Sequence, residues 1–87
     1  MIKRFRKRPV VIEAVQFRAG EQPVELAPDV VAGRVRYTED GEMLVRTLEG
    51  EMLGRPGDWI IRGVKGELYP CKPDIFAATY EPADKEP

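Results

Sequence analysis

Eighty-seven residues with a formal charge of −1, one cysteine and no histidine describe a single small domain, since separate cores need roughly 50 residues each. Such a domain buries only about 60% of the surface its unfolded chain exposes, and small cores are commonly supplemented by disulfides, metals or oligomerisation. Cys71 alone rules out an internal disulfide, and without histidine there are too few ligands for a tetrahedral zinc site, so a homo-oligomer is expected.

The near-neutral charge conceals an asymmetry. Lys3, Arg4, Arg6, Lys7 and Arg8 make residues 1–8 a basic arm of +5, which leaves nine Lys/Arg against fifteen Asp/Glu, or −6, on residues 9–87. A basic arm on an acidic body can touch phosphates, or it can blunt and solubilise an edge strand. Phe5 and the strand that follows favour an arm partly built into the sheet. The body's charge opposes a polyanion, so DNA binding is not expected. No run approaches the roughly 20 apolar residues of a membrane span, and no signal-type apolar stretch follows Arg8. With the lone thiol, this predicts a reducing, intracellular setting.

Residues 9–17, PVVIEAVQF, are rich in β-branched types and apolar on both faces, which predicts a central strand. From Arg18 to Gly33 the periodicity dissolves. A loop is expected there, with at most a helical turn within 28–32 opened by Pro28 and Asp29. Residues 34–38 and 42–48 alternate as strands around Asp40-Gly41, a pair suited to a type I′ hairpin turn. A turn at Glu49-Gly50 leads to a short strand over 51–54. Pro56-Gly57 fits a type II turn, and strands over 58–62 and 67–70 flank the turn Gly63–Gly66. Pro73 and Asp74 open a short helix that Pro82 stops, and the tail 83–87 is expected to fray. The predicted fold is mainly β (α+β): a small antiparallel meander or curled half-barrel with one short C-terminal helix.

The chemistry concentrates in residues 56–80. Gly63-Val64-Lys65-Gly66 has the GxxG form of nucleic-acid-gripping KH loops, but those sit between helices, whereas strand patterns flank this one. Cys71 has no histidine to act as its base. Lys72 beside it favours the thiolate, yet a half-buried structural thiol is the better reading. Asp58, Glu67 and Asp74 are acid/base or hard-cation candidates, each with a local explanation in turn, strand or helix start. Neither a catalytic constellation nor a cofactor or metal site is expected. The candidate ligand-binding residues are Arg62, Lys65 and Lys72, as cations for phosphate groups, with Tyr69 and Trp59 as rings for a base. Phe76 and Tyr80 read first as core or interface aromatics.

Two segments carry a resemblance. Arg6–Ala14 follows R-K-x-P-V-x-I-E-A, and Pro56–Tyr80 follows P-G-D-W-I-I-x-G-V-K-G-E-x-Y-P-C-K-P-D-I-F-x-x-T-Y. Together they span about two-fifths of the chain, which in them resembles a group of small proteins encoded by tailed bacteriophages and prophages. Leu68 departs from that pattern, which has an aromatic there, so position 68 is not expected to stack a ligand. The resemblance implies a viral accessory protein acting in the host bacterial cytoplasm, and it brings no catalytic scheme. Two functions are therefore carried forward. One is a non-catalytic module that sequesters an anionic nucleotide-type host defence signal. The other is a protein-interaction module that binds and inhibits a host protein or a virion component.

Overall fold

In the computed structural model, which describes residues 1–83, six strands and two short helices follow one another along the chain. They are β1 (Glu13–Gln16), α1 (Ala27–Val31), β2 (Val35–Tyr37), β3 (Met43–Thr47), β4 (Gly50–Gly54), β5 (Trp59–Arg62), β6 (Leu68–Cys71) and α2 (Pro73–Thr79). A 3-10 turn, Val24–Leu26, runs directly into α1. The expected tail lies outside the described residues, apart from an exposed Ala83.

The mainly β fold with a C-terminal helix is as the sequence indicates, but there is no continuous meander. The strands form two three-stranded antiparallel sheets, ordered β1-β5-β6 and β2-β3-β4. The chain changes sheet between β4 and β5 through the Pro56-Gly57 turn. There the Asp58 N–H donates to the Arg55 carbonyl (2.9 Å), and Gly57 takes φ 101°, as a type II turn requires. The Asp58 carboxylate closes the same turn by accepting the Arg55 N–H at 2.9 Å. Where the sheets approach, Gly54 leaves space that a Cβ would place 3.4 Å from Ile60 Cδ1 and 3.7 Å from Pro70 Cβ.

The core between the sheets is Phe17, Leu26, Val35, Met43, Val45, Ile60 and Leu68. It draws on both sheets and on the 3-10 turn, so no layer holds its own apolar face.

β1 is an edge strand, contrary to the central position that its pattern predicts, and it pairs only with β5. Apolar residues on both faces report cover above and below a sheet; they say nothing about lateral neighbours. Val15 packs on the core, whereas Ala14 lies on the opposite face, level with Ile61 and Tyr69. The arm is not built into the sheet either. Residues 1–11 are exposed and outside any regular element, and Lys7 Nζ lies 5.3 Å from the centre of the Tyr80 ring.

The β2–β3 connection differs from the expected type I′ turn, because Asp40 does not take positive φ and only Gly41 does. Gly41 N–H donates to the Thr38 carbonyl (3.1 Å), and Thr38 N–H to that of Glu42 (2.9 Å). This is a type I turn closed by a left-handed glycine bulge. The Thr38 hydroxyl accepts the Glu42 N–H at 3.0 Å and supplies the local reason for the longer loop. Gly63–Glu67 repeats the device between β5 and β6, with Gly66 at φ 81°.

One ion pair joins the layers. Asp29, in the first turn of α1, is 1% exposed, and its carboxylate takes both terminal nitrogens of Arg62, at 2.6 and 3.3 Å. Arg34 Nε adds a third bond at 2.9 Å, and the Arg34 N–H donates to the Asp29 carbonyl at 2.8 Å. The Arg62 hydrogen bond outweighs the opposing effect of burial and holds the Asp29 carboxyl below its ordinary 3.8.

Because the folded state therefore binds this proton less tightly than the unfolded chain does, the stabilisation is complete above about pH 5. It is lost as pH falls through 3.8 to the lower folded value. Urea midpoints measured between neutral and acid pH should fall in the native protein and depend less on pH in Asp29→Asn. Arg62→Met strands a buried carboxylate and should cost about 3 kcal/mol at neutral pH. Conversely, the buried Tyr37 hydroxyl makes no hydrogen bond. Tyr37→Phe should hold stability or raise it by about 1 kcal/mol, as read from the same midpoints.

Candidate functional site

The five candidate residues surround the β5–β6 hairpin, and strand parity separates them. Trp59 is opposite Cys71, and Ile61 is opposite Tyr69; these four share one face. Ile60 is opposite Pro70, and Arg62 is opposite Leu68; these share the other. Side chains alternate strictly along a strand, so Arg62 is on the opposite face from both rings.

Each cation has a separate setting. Arg62 leaves the core-side face for Asp29, with Glu13 Oε1 more distant, 4.0 Å from Nε. Lys72 follows β6 at the other end of the hairpin, where its ammonium meets the buried Asp58 carboxylate at 3.3 Å. Four residues of strand, about 13 Å, separate Asp58 from Arg62. Lys65 is exposed in the Gly63–Gly66 turn, and its N–H is held by Glu67 Oε1 at 2.9 Å. The expected convergence of three cations with a ring does not form, because two of them neutralise buried carboxylates. An unpaired buried charge is far more expensive than a missed surface contact.

The aromatic residues serve α2. Trp59 stacks on Phe76 with ring centres 4.3 Å apart and planes 7° apart, and Phe76 meets Tyr80 at 5.1 Å. α2 has no fully buried residue, so this ring stack holds it on the sheet. Tyr69 lies on the same face, and its phenol is pushed up to about 12, first by burial and then by the neighbouring Tyr80 hydroxyl.

The remaining candidates are spent locally. Glu67 folds over its own turn, so a Cβ on Gly63 would collide with its carboxylate. Asp58 caps one turn and holds Lys72, and Asp74 sits in the first turn of α2. Cys71 is half-buried; burial, then Asp58 and Asp74, push its thiol up, opposite to the expected influence of Lys72. Lys72 has turned its charge toward Asp58 instead.

What the sequence does not reveal is a cleft of about 290 Å³ along β6, lined by Leu68, Tyr69 and Pro70 and by Thr47 at the end of β3, Leu48 in the β3–β4 turn and Met52 of β4. Glu49 stands at its margin. Leu48 is 77% exposed and Met52 is also exposed, although nothing in the local hairpin requires an apolar residue at a turn position. That misplacement is the only sequence signal for the cleft.

The Tyr69 environment can be checked directly. Phenolate absorbance should show an ionisation near 12 that Tyr69→Phe removes. The raised value also means that Tyr69 favours the fold fully below pH about 10. That contribution should disappear as pH rises towards 12, so alkaline denaturation should be shallower in the variant.

Compared with family models, curated proteins and solved structures, the chain shows no match.

Proposed function

We propose that the protein is a non-catalytic interaction module that captures a protein partner in the cleft between β6 and the β3–β4 turn. The observation that supports this reading is the pairing of an exposed Leu48 and Met52 with a carbon-lined recess, while Arg62 and Lys72 are held by Asp29 and Asp58. The chemistry favours an extended peptide segment with an apolar anchor for the recess and a basic residue for Glu49. Open strand edges beside such a recess let the backbone of the segment add its own hydrogen bonds.

On the resemblance of Arg6–Ala14 and Pro56–Tyr80 to tailed-phage proteins, the partner is a host or virion protein, met in the cytoplasm of an infected bacterium. No helix among the described residues is long and apolar enough to cross a membrane. The nucleotide-sequestering alternative now depends on Lys65, the one candidate cation whose side chain has no ion-pair partner among the described residues.

Stoichiometric capture from bacterial lysate, followed by identification and a measured affinity, tests the proposal. Losing a buried leucine contact of about 2 kcal/mol should weaken binding roughly thirtyfold in Leu48→Asp. Met52→Asp should act likewise, while Lys65→Ala should leave the affinity unchanged. An affinity indifferent to Leu48→Asp, or calorimetric heat from a cyclic nucleotide that Lys65→Ala abolishes, would overturn it.

A further inference from the structure

We propose that the basic arm of one copy seats Phe5 in an acid-rimmed cleft beside β1 of a second copy, and that reciprocal exchange closes a two-fold dimer. The cleft is separate from the one along β6 and takes about 200 Å³. Val15, Leu26 and Ile60 supply its apolar lining, and Glu13 and Glu25 supply carboxylates. Arg62 also lines it, but that guanidinium is already bound to Asp29 and reaches Glu13 only at 4.0 Å. The Glu13 side chain is 85% exposed, and Glu25 is exposed as well. The recess therefore offers an apolar floor with two exposed carboxylates, Glu25 having no ion-pair partner among the described residues and Glu13 only Arg62 at 4.0 Å.

The arm has the matching chemistry. Phe5 is 90% exposed, between Arg4 and Arg6, in a segment of +5 set against a body of −6. Their long stems let the two guanidinium groups reach past a seated ring to the rim. The chain is also extended for its length, with a radius of gyration of 14.4 Å where a compact chain of this size has about 12 Å.

Sheet geometry favours a second copy as the occupant of the cleft. Val15 and Ile60 place the cleft on the core-side face of the β1-β5-β6 sheet. The arm's own anchor, Lys7 over Tyr80, is on the opposite face, with the Trp59–Phe76–Tyr80 stack. Phe5 is two residues from Lys7, a reach of about 7 Å. While Lys7 stays on Tyr80, that contact holds this stretch of the arm toward the face away from its own cleft. A neighbouring copy meets no such restriction, and reciprocal exchange satisfies both arms and both clefts with closed symmetry.

Sedimentation equilibrium on the full chain, from about 1 µM to about 1 mM, tests this. The native protein should dimerise, more weakly in high salt because the rim contacts are exposed charges. Phe5→Ser should raise the dimer dissociation constant at least about tenfold with an unchanged circular dichroism spectrum, since the ring touches nothing in its own chain that folding requires. Arg4→Glu/Arg6→Glu should do the same, and adding Glu13→Lys/Glu25→Lys to that chain should restore the dimer. A monomer at every concentration, or a dimer indifferent to Phe5→Ser and to the charge swap, would overturn the proposal. So would an arm that leaves the protein monomeric and instead binds phosphatidylserine vesicles or duplex DNA. Because these variants leave Leu48 and Met52 untouched, failure here is distinguishable from failure of partner capture.

Discussion

The placement of α1 against the two sheets depends on the buried carboxylate of Asp29. Asp29 receives Arg62 from the central strand of one sheet and Arg34 from the approach to β2, and so ties α1 to both layers of a domain whose core has seven main residues. Burying an acid costs several kcal/mol unless the pairing is nearly complete. Here a bidentate guanidinium, a second arginine and a backbone bond together satisfy Asp29. The same requirement removes Arg62 from the surface chemistry its neighbours would otherwise suggest. Asp58 and Lys72 repeat the arrangement on a smaller scale at the opposite end of the β5–β6 hairpin.

The β1-β5-β6 sheet is covered on both faces by different means. The second sheet covers one face with aliphatic side chains; α2 covers the other through stacked rings. This accounts for the density of aromatic and glycine residues over 56–80. They specify the tight turns and the seat of a seven-residue helix that has little buried surface of its own. Short helices gain most of their stability from such tertiary contacts. The special residues in this segment thus have structural work, and the accessible recess lies where the sequence is plainer, against the β3–β4 turn.

The charge distribution adds a second constraint. Segregating +5 into an exposed arm and −6 into the body makes the surface complementary to itself, and exposed opposite charges select encounters more than they add affinity. An apolar ring among the arm's cations supplies the burial that such encounters need to persist. On the two proposals made above, the clefts divide the molecule's tasks, the acid-rimmed one taking a copy of the chain and the other a different partner.

Much of the architecture is legible in the residues because it arises locally. Strand positions follow from alternation, the type II turn from Pro56-Gly57, the start of α2 from Pro73-Asp74, and the mainly β class from turns every few residues. Even here, Thr38 changed the hairpin type at Gly41 by offering its hydroxyl to the backbone. The lateral place of β1 was not legible, because an apolar pattern registers what lies above and below a strand and is blind to what lies beside it. The five candidate residues do not share one face, for a related reason. Nearness of Arg62, Lys65, Trp59, Tyr69 and Lys72 along the chain does not give them one face, and parity set Arg62 against the rings. Sequence by itself determined the elements and the charge imbalance. Only the tertiary structure decided which charges were spent on buried partners, since that depends on residues 33 positions apart, such as Asp29 and Arg62, meeting away from water.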